Sequence, residues 1–335
     1  MELGLYSFGD LVTNPVNGIK ITAEERMRQM LEMAQMADDW GLDILGIGEH
    51  HSLKFVNSAT ATTLSAMAAV TKRIRLTSST TLLSTADPVR TFQEFATADL
   101  ISGGRIELIF GRGAFTDNFP LFGFDLKDYD ALFMEKLELF SLLNSNERVT
   151  WKGKFRPELI NQEIAPRPIQ KKLPVWIGAG SPQSVARAAI LRYPVAVPVL
   201  GGTLSGYARL GSIYQQAWQQ GDVDEQMRIS VFSHLHVTET SQQTHKDFYP
   251  YYSAYLEPLF KGQMPVEQYQ QMLSADGSLI GGSVQEVIDK IMFLKEKMGL
   301  TRYVGQIDIG GQDFTAVAKG IELFATKVAP VVRAS

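Results

Sequence analysis

The 335-residue sequence predicts an α/β fold, a closed (β/α)8 TIM barrel. Three observations lead there. Short apolar runs alternate with amphipathic helical stretches along nearly the whole chain, which argues for a parallel sheet covered by helices. Roughly eight such strand–helix units follow one another, the number a barrel needs. No linker or compositional break separates them, so residues 1–335 read as one domain, although length alone also suits two. An open doubly wound sheet is the structural alternative.

The elements follow in order. Leu3–Phe8 reads as the first strand. Thr22–Asp39 reads as a helix, because Thr22 and Glu25 have capping-box spacing and Met27, Met30, Leu31 and Ala34 recur at helical period. Ile44–Ile47 is a short buried strand, Ala59–Val70 a small-residue helix, and Ile74–Leu83 a strand rich in β-branched residues. Pro88 opens a helix running to about Ile101, and Ser102-Gly103-Gly104 breaks it before the strand Ile106–Phe110. Tyr129–Leu143 is the fourth helix. After it Val149–Pro168, with Trp151, Gly153 and three prolines, reads as an insertion. Val175–Gly178, Pro182–Leu191, Val195–Leu200, Tyr207–Gln219 and Met227–Val237 continue the alternation. A less regular stretch to Gly282 follows the seventh strand. Val284–Met298 is a helix, Tyr303–Ile309 a strand and Phe314–Val331 the last helix.

Composition narrows the function. The sequence has no cysteine, which excludes disulfides, thiolate metal sites, iron–sulfur clusters and a cysteine nucleophile. With 32 basic and 36 acidic side chains the net charge is −4, and no long basic run exists, so nucleic-acid binding is not expected. The first residues lack a signal-peptide pattern and no apolar run reaches membrane-span length, which predicts a cytoplasmic protein with no membrane partner.

Function in a barrel sits where strands end, at the C-terminal face. Four segments there carry unusual residues. His50 and His51 follow the second strand and suit a general base or a metal ligand; a plain surface loop explains them as well. Arg112 stands between Gly111 and Gly113 after the fourth strand, where close backbone approach and a planar guanidinium suit a phosphate; a tight turn with a solvated arginine is the bland alternative. Gly178–Ser184 joins the fifth strand to a helix whose N-terminus favours an anion, with Ser181 as N-cap and Pro182 at the first helical position. Capping alone accounts for Ser181. His234 and His236 share one side of the seventh strand and raise a metal-dependent hydrolase as a rival; that chemistry also wants an acidic ligand and a general base nearby, and such barrels usually carry the pair on the first strand, where Leu3–Phe8 has no histidine, so no metal site is assigned.

Taken together, Gly48-Glu49-His50-His51, Thr80–Leu83, Asp87-Pro88-Val89-Arg90, Asp99–Arg105 and Gly111-Arg112-Gly113 follow, in order and spacing, the pattern of a known family. The chain resembles the bacterial luciferase superfamily, most closely its flavin monooxygenases. The likeness extends through Leu173–Ile177 and Gly281–Val284 to Val328-Ala329-Pro330, nearly the whole chain.

The resemblance implies reduced FMN as cofactor and O2 as co-substrate, with a small organic substrate such as an aldehyde or ketone oxygenated through a peroxyflavin. Arg112 matches the arginine on the FMN phosphate. Gly180 and Ser181 match backbone contacts to it, and Ser184 a hydroxyl contact. His50 matches the catalytic base and His51 its neighbour. Ser79 and Thr80 match a non-prolyl cis peptide beneath the flavin ring. Gly111 stands where the light-emitting relative has a cysteine, which suggests a widened pocket and puts light emission and long-chain aldehydes in doubt. Phe260–Gly282 corresponds to a lid after the seventh strand. No dinucleotide fingerprint is present, so a separate flavin reductase is the implied partner. A homodimer through the small-residue helix is the implied assembly. The rivals are a deazaflavin-dependent hydride-transfer oxidoreductase, the metal-dependent barrel hydrolase and a catalytically silent flavin-binding protein.

Overall fold

The computed structural model describes residues 1–113, 116–220 and 226–335. Among them, eight parallel strands close a barrel: β1 (Glu2–Ser7), β2 (Ile44–Ile47), β3 (Arg75–Ser78), β4 (Ile106–Gly111), β5 (Val175–Gly178), β6 (Val195–Val199), β7 (Ile229–Thr238) and β8 (Arg302–Gln306). Each strand pairs with the next and β8 pairs with β1, so the barrel sheet leaves no open edge. The covering helices are α1 (Ala23–Asp39), α2 (Thr60–Val70), α3 (Pro88–Ser102), α4 (Tyr129–Ser145), α5 (Pro182–Ile190), α6 (Leu204–Trp218), α7 (Val284–Met298) and α8 (Phe314–Leu323).

Local chemistry sets the helix ends. Thr22 caps α1 by accepting the Glu25 N–H at 3.1 Å, and Met30, Met33, Ala34 and Ala37 bury its inner face. Asp87 accepts the N–H groups of Val89 and Arg90 at the start of α3, with Pro88 in the first turn, and Gly103 ends the helix in the left-handed conformation, φ 71°. Ser283 and Glu286 form a capping box on α7, which Gly299 closes. None of these helices is long and apolar enough to cross a membrane, nor is any other among the described residues.

Alternation along the strands separates barrel interior from helix-facing surface. On β8, Arg302, Val304 and Gln306 face inward, whereas Tyr303 faces out, its hydroxyl 2.8 Å from Ser233 and its ring beside Phe324. Arg302 closes the floor. It is fully buried, donates to both carboxylate oxygens of Glu107 and to Glu2 on β1, and lies 4.2 Å over the Trp176 ring. Above it Tyr6, Ile44, Ile109, Trp176, Ala196, Phe232 and Val304 fill the middle. The C-terminal mouth is therefore where a ligand enters.

Two expectations need correction, and the expected insertion takes a definite form. The run Ile74–Leu83 is not one strand. It breaks into β3 and a two-residue strand Thr81–Leu82 around a cis peptide between Ser79 and Thr80. The expected insertion after the fourth helix is an antiparallel hairpin, Arg148–Trp151 with Leu159–Glu163. The segment Phe260–Gly282, read as a glycine-rich lid, is largely packed structure. It contains the helix Val266–Leu273, whose Tyr269, Met272 and Leu273 are buried with Phe248, Tyr252, Met264 and Leu279. It runs into the strand Ile280–Ser283, which extends the sheet beside β7. The buried ammonium of Lys290 on α7 donates to the carbonyls of Leu273 and Leu279 at 2.9 and 2.7 Å and fastens the segment to the barrel.

Candidate active site

The β2 end delivers Gly48-Glu49-His50-His51, and the fold holds this loop from below. Asn57 is buried. Its amide nitrogen donates to the Gly48 carbonyl at 2.6 Å, its amide oxygen accepts from Thr63 at 2.6 Å, and its backbone carbonyl accepts the His50 N–H at 2.9 Å. Glu49 accepts the Leu82 N–H with one oxygen and pairs with His51 Nε2 through the other, both at 2.9 Å. His50 stacks on Phe55 at 4.2 Å and meets the Phe8 ring edge-on at 4.4 Å. Burial lowers the His50 pKa to about 4 despite the opposing pull of Asp117, so its imidazole is neutral at physiological pH. A neutral buried imidazole can accept a proton.

Ser79 and Thr80 lie across the mouth. The sequence makes room for them with glycine at inward positions of β2, β4 and β5. A Cβ at Gly46 would stand 2.1 Å from Ser79 Oγ, one at Gly111 2.4 Å from Thr80 Oγ1, and one at Gly178 3.3 Å from Thr80 Cγ2. Gly111 therefore does not widen the pocket, because Thr80 occupies the place of the missing side chain. The buried Ser79 Oγ and Thr81 Oγ1 have no hydrogen-bond partner among the described residues.

On the β4–β5 side Arg112, Gly178, Ser184 and Arg187 line one cleft. Arg112 Nη1 bonds Asp130 Oδ1 at 2.6 Å, and Arg187 Nη1 approaches the same oxygen at 3.5 Å. The hydrogen bond from Arg112 holds the Asp130 carboxyl below its usual range, against a smaller opposing effect of burial. Arg112 also lies 5.3 Å over the Tyr129 ring, whose hydroxyl donates to the Gly113 carbonyl at 2.8 Å. Ser181 and Ser184 form a capping box on α5, in which the Ser181 N–H donates to Ser184 Oγ at 3.0 Å. Gly180 precedes it, close against Pro198. The structure thus gathers Arg112, Ser181 and Ser184 as expected and adds Arg187 and Asp130. Arg187 was legible in principle, since it lies three residues after Ser184 on the same helix face.

The β7–β8–β1 side carries polar groups that the sequence did not reveal. Asp308, just past β8, accepts from Ser7 Oγ and from buried Arg26. Asp10 accepts the Gly310 N–H at 3.0 Å, and burial, then the neighbouring Asp308, raise its pKa. His234 and His236 do not form a metal pair. His234 Nδ1 lies 2.8 Å from the Tyr252 hydroxyl, and His236 stacks flat on Phe248 at 4.0 Å. Burial lowers both pKa values to about 3. Among the described residues no cluster of three metal-ligating side chains exists.

Comparison with known proteins now decides the family. The profile of luciferase-like monooxygenases matches residues 7–302. The chain belongs to the luciferase-like monooxygenase family. It is thus an oxidoreductase enzyme of the luciferase-like type. One curated relative is the oxygenase component of a flavin-dependent trigonelline monooxygenase from Acinetobacter baylyi, 23% identical over 92% of this chain and 91% of that one. Among solved structures, the oxygenating constituent of 3,6-diketocamphane monooxygenase from Pseudomonas putida, in complex with FMN, shares the fold at TM-score 0.79, 20% identity and 98% coverage of both chains. An F420-dependent secondary alcohol dehydrogenase shares it at TM-score 0.77, 16% identity and 99% coverage of both.

Proposed function

We propose that this enzyme uses reduced FMN and O2 to oxygenate a small organic carbonyl compound, an aldehyde or ketone, with a separate reductase supplying the reduced flavin. The observation that carries this reading is the layout of the mouth. A two-arginine cleft, Arg112 with Arg187, lies at one end, the Ser79–Thr80 dipeptide forms a bed across glycines in the middle, and the neutral imidazole of His50 stands at the far rim. An FMN molecule has a phosphate and a flat ring, and these residues fit both. Arg112, Arg187, Ser184 and the Gly180–Ser181 turn would hold the phosphate. Ser79 and Thr80 would lie under the ring, where Ser79 Oγ and Thr81 Oγ1 still lack partners. When bound, reduced FMN supplies the electrons that activate O2.

The protein's own part is to bind, orient and shield. Phe8, Phe55 and Tyr6 surround the inner rim and keep water from the reacting atoms. His50, neutral and fixed by Phe55, takes up a proton on an imidazole nitrogen as the substrate reacts. Glu49 holds His51 and the Leu82 backbone together, so it ties the His50 loop to the Ser79–Thr80 bed.

The reading extends to the whole chain as one cytoplasmic domain that works as a homodimer. Ala66, Ala69 and Val70 of α2 and Leu100 and Ile101 of α3 remain exposed, which supports a joint through those helices. Sedimentation velocity would detect the dimer, and a monomer at micromolar concentration would refute it.

The decisive experiment mixes the enzyme with chemically reduced FMN, or with reduced F420, and then with oxygen and a panel of carbonyl compounds. FMN-dependent oxygen uptake matched by an oxygenated product supports the proposal. Hydride transfer from reduced F420 without oxygen uptake overturns it in favour of the deazaflavin reading. Peroxide as the only product would instead mark a protein that binds flavin without oxygenating a substrate.

A further inference from the structure

The Ser79–Thr80 bed runs straight into a short turn that is held on several sides. Thr81–Leu82 pairs with β4 at Phe110 and Gly111. The N–H groups of Thr85 and Ala86 then fold back on the Leu82 carbonyl at 3.1 and 3.3 Å. Three side chains from other parts of the chain grip this turn. Glu49 accepts the Leu82 N–H at 2.9 Å. Buried Asn118, in the β4–α4 connection, donates its amide to Thr85 Oγ1 at 2.9 Å. Buried Lys136, on α4, donates its ammonium to the Ser84 carbonyl at 2.7 Å and lies 4.0 Å over the Phe124 ring.

Lys136 is the unusual member of the three. Among the described residues no carboxylate forms an ion pair with it; burial lowers its pKa to about 8, against the weaker pull of Asp87 and Glu135. A methionine would fill the same space without desolvating a charge, so stability does not explain the cation. What the ammonium adds is direction, because it fixes the Ser84 carbonyl four residues beyond Thr80. Its helix has a second contact with the mouth. The first turn of α4 carries Asp130, the partner of Arg112, and Lys136 follows about 9 Å further along the axis. One rigid helix therefore meets the arginine at the phosphate end and the turn behind the ring end.

We infer that Lys136 is a positioning residue for the flavin ring, which through the Ser84 carbonyl sets where the Ser79–Thr80 bed stands relative to Arg112. It touches neither flavin nor substrate. Its effect passes through the backbone of the Thr81–Thr85 turn to the bed, and it is shared with Phe124, whose ring faces the ammonium. This rests on the reading of the mouth as the flavin site and adds to it the residue that places the ring.

The test uses the full chain and two flavins, FMN and riboflavin, which lacks the phosphate. Affinity is read from quenching of flavin fluorescence, and ring placement from the absorption spectrum of the bound flavin. Lys136→Met should weaken both flavins by about tenfold and shift the bound spectrum. Arg112→Ala should instead weaken FMN and leave riboflavin as it was. Phe124→Leu, at a partly exposed site, should follow Lys136→Met in direction by about threefold, and it decides the matter if Lys136→Met does not fold. If Lys136 only supports the fold, Lys136→Met will lower the melting temperature while both affinities and the bound spectrum hold, and that overturns the inference. Loss of FMN binding alone would overturn it too, because the effect would then lie at the phosphate. If the unaltered enzyme binds neither flavin, the cofactor reading falls and takes this inference with it; unaltered flavin binding by the folded variants removes the inference alone.

Discussion

Asp130 should act as a built-in rival of the cofactor phosphate. Its carboxylate lies 2.6 Å from Arg112 and 3.5 Å from Arg187, so it occupies the guanidinium faces that a phosphate would need. Removing it by Asp130→Ala should tighten FMN binding. The magnitude is bounded by exposure. Asp130 is 62% exposed while Arg112 is 25% exposed, and such pairs are worth roughly 0.2–1 kcal/mol after screening. Releasing that competition corresponds to an affinity gain of up to about fivefold. Arg112→Ala should work in the opposite sense, losing a charge-assisted contact of roughly 1.5–3 kcal/mol, or about one to two decades. The assay is quenching of FMN fluorescence on titration with protein, at low and high salt. The gain from Asp130→Ala should shrink at high salt and disappear when Arg112 is also alanine. Weaker FMN binding by Asp130→Ala would mean that the carboxylate props Arg112 in place, and would refute the reasoning.

Other outcomes follow from the same structure. His50→Ala should lower single-turnover rates by about 10²–10⁴-fold with FMN affinity unchanged, and a normal rate would remove His50 from proton transfer. His50, His234 and His236 all have folded pKa values below the ordinary 6.5, so the folded state binds fewer protons than the unfolded one as pH falls from there. Their stabilisation is complete above about pH 6.5 and is lost in acid; His236→Phe should flatten the fall in denaturation midpoint between pH 6 and 4 by up to one proton, about 1.4 kcal/mol per pH unit. Lys290→Met removes the amino group that the Leu273 and Leu279 carbonyls share, and should cost roughly 2–3 kcal/mol and open the segment 261–279 to limited proteolysis; unchanged protease resistance would refute that anchoring role. Gly111→Ala should weaken FMN binding because its Cβ collides with Thr80, and Thr80→Ala should restore it only in part, because the residue-80 Cβ still stands 2.9 Å away; no rescue at all would place the fault elsewhere.

Much of the frame was legible because its signals are local. Val284–Met298 emerges with the expected bounds, since Ser283, Glu286 and Gly299 write both ends into adjacent residues. The His50 loop, Arg112 and the Ser181 turn also fall where a strand-end reading puts them. The break at Ser79 was hidden inside an apolar β-branched run, whose composition does not distinguish one strand from two. The packing of Phe260–Gly282 was hidden for a different reason. Its glycines and polar residues suggest a loop, whereas Tyr269, Met272 and a lysine on another helix hold it down. Asp10, Arg26 and Asp308 carried no signal. Their partners come from opposite ends of the chain, and only barrel closure brings Arg26 to Asp308.

The floor residue Arg302 has a consequence for how the protein is made. Glu107 waits in the interior for a cation that lies 195 residues later, and Glu2 for the same one 300 residues later. A chain emerging from the ribosome therefore holds the buried Glu107 without that partner until the last strand is synthesised, whereas Glu2, part-exposed, already has Arg75. Burying an unpaired carboxylate is strongly unfavourable, so fragments that stop before Arg302 cannot shut the barrel. Closure becomes a late, post-translational event, and incomplete chains stay open to chaperones and proteases.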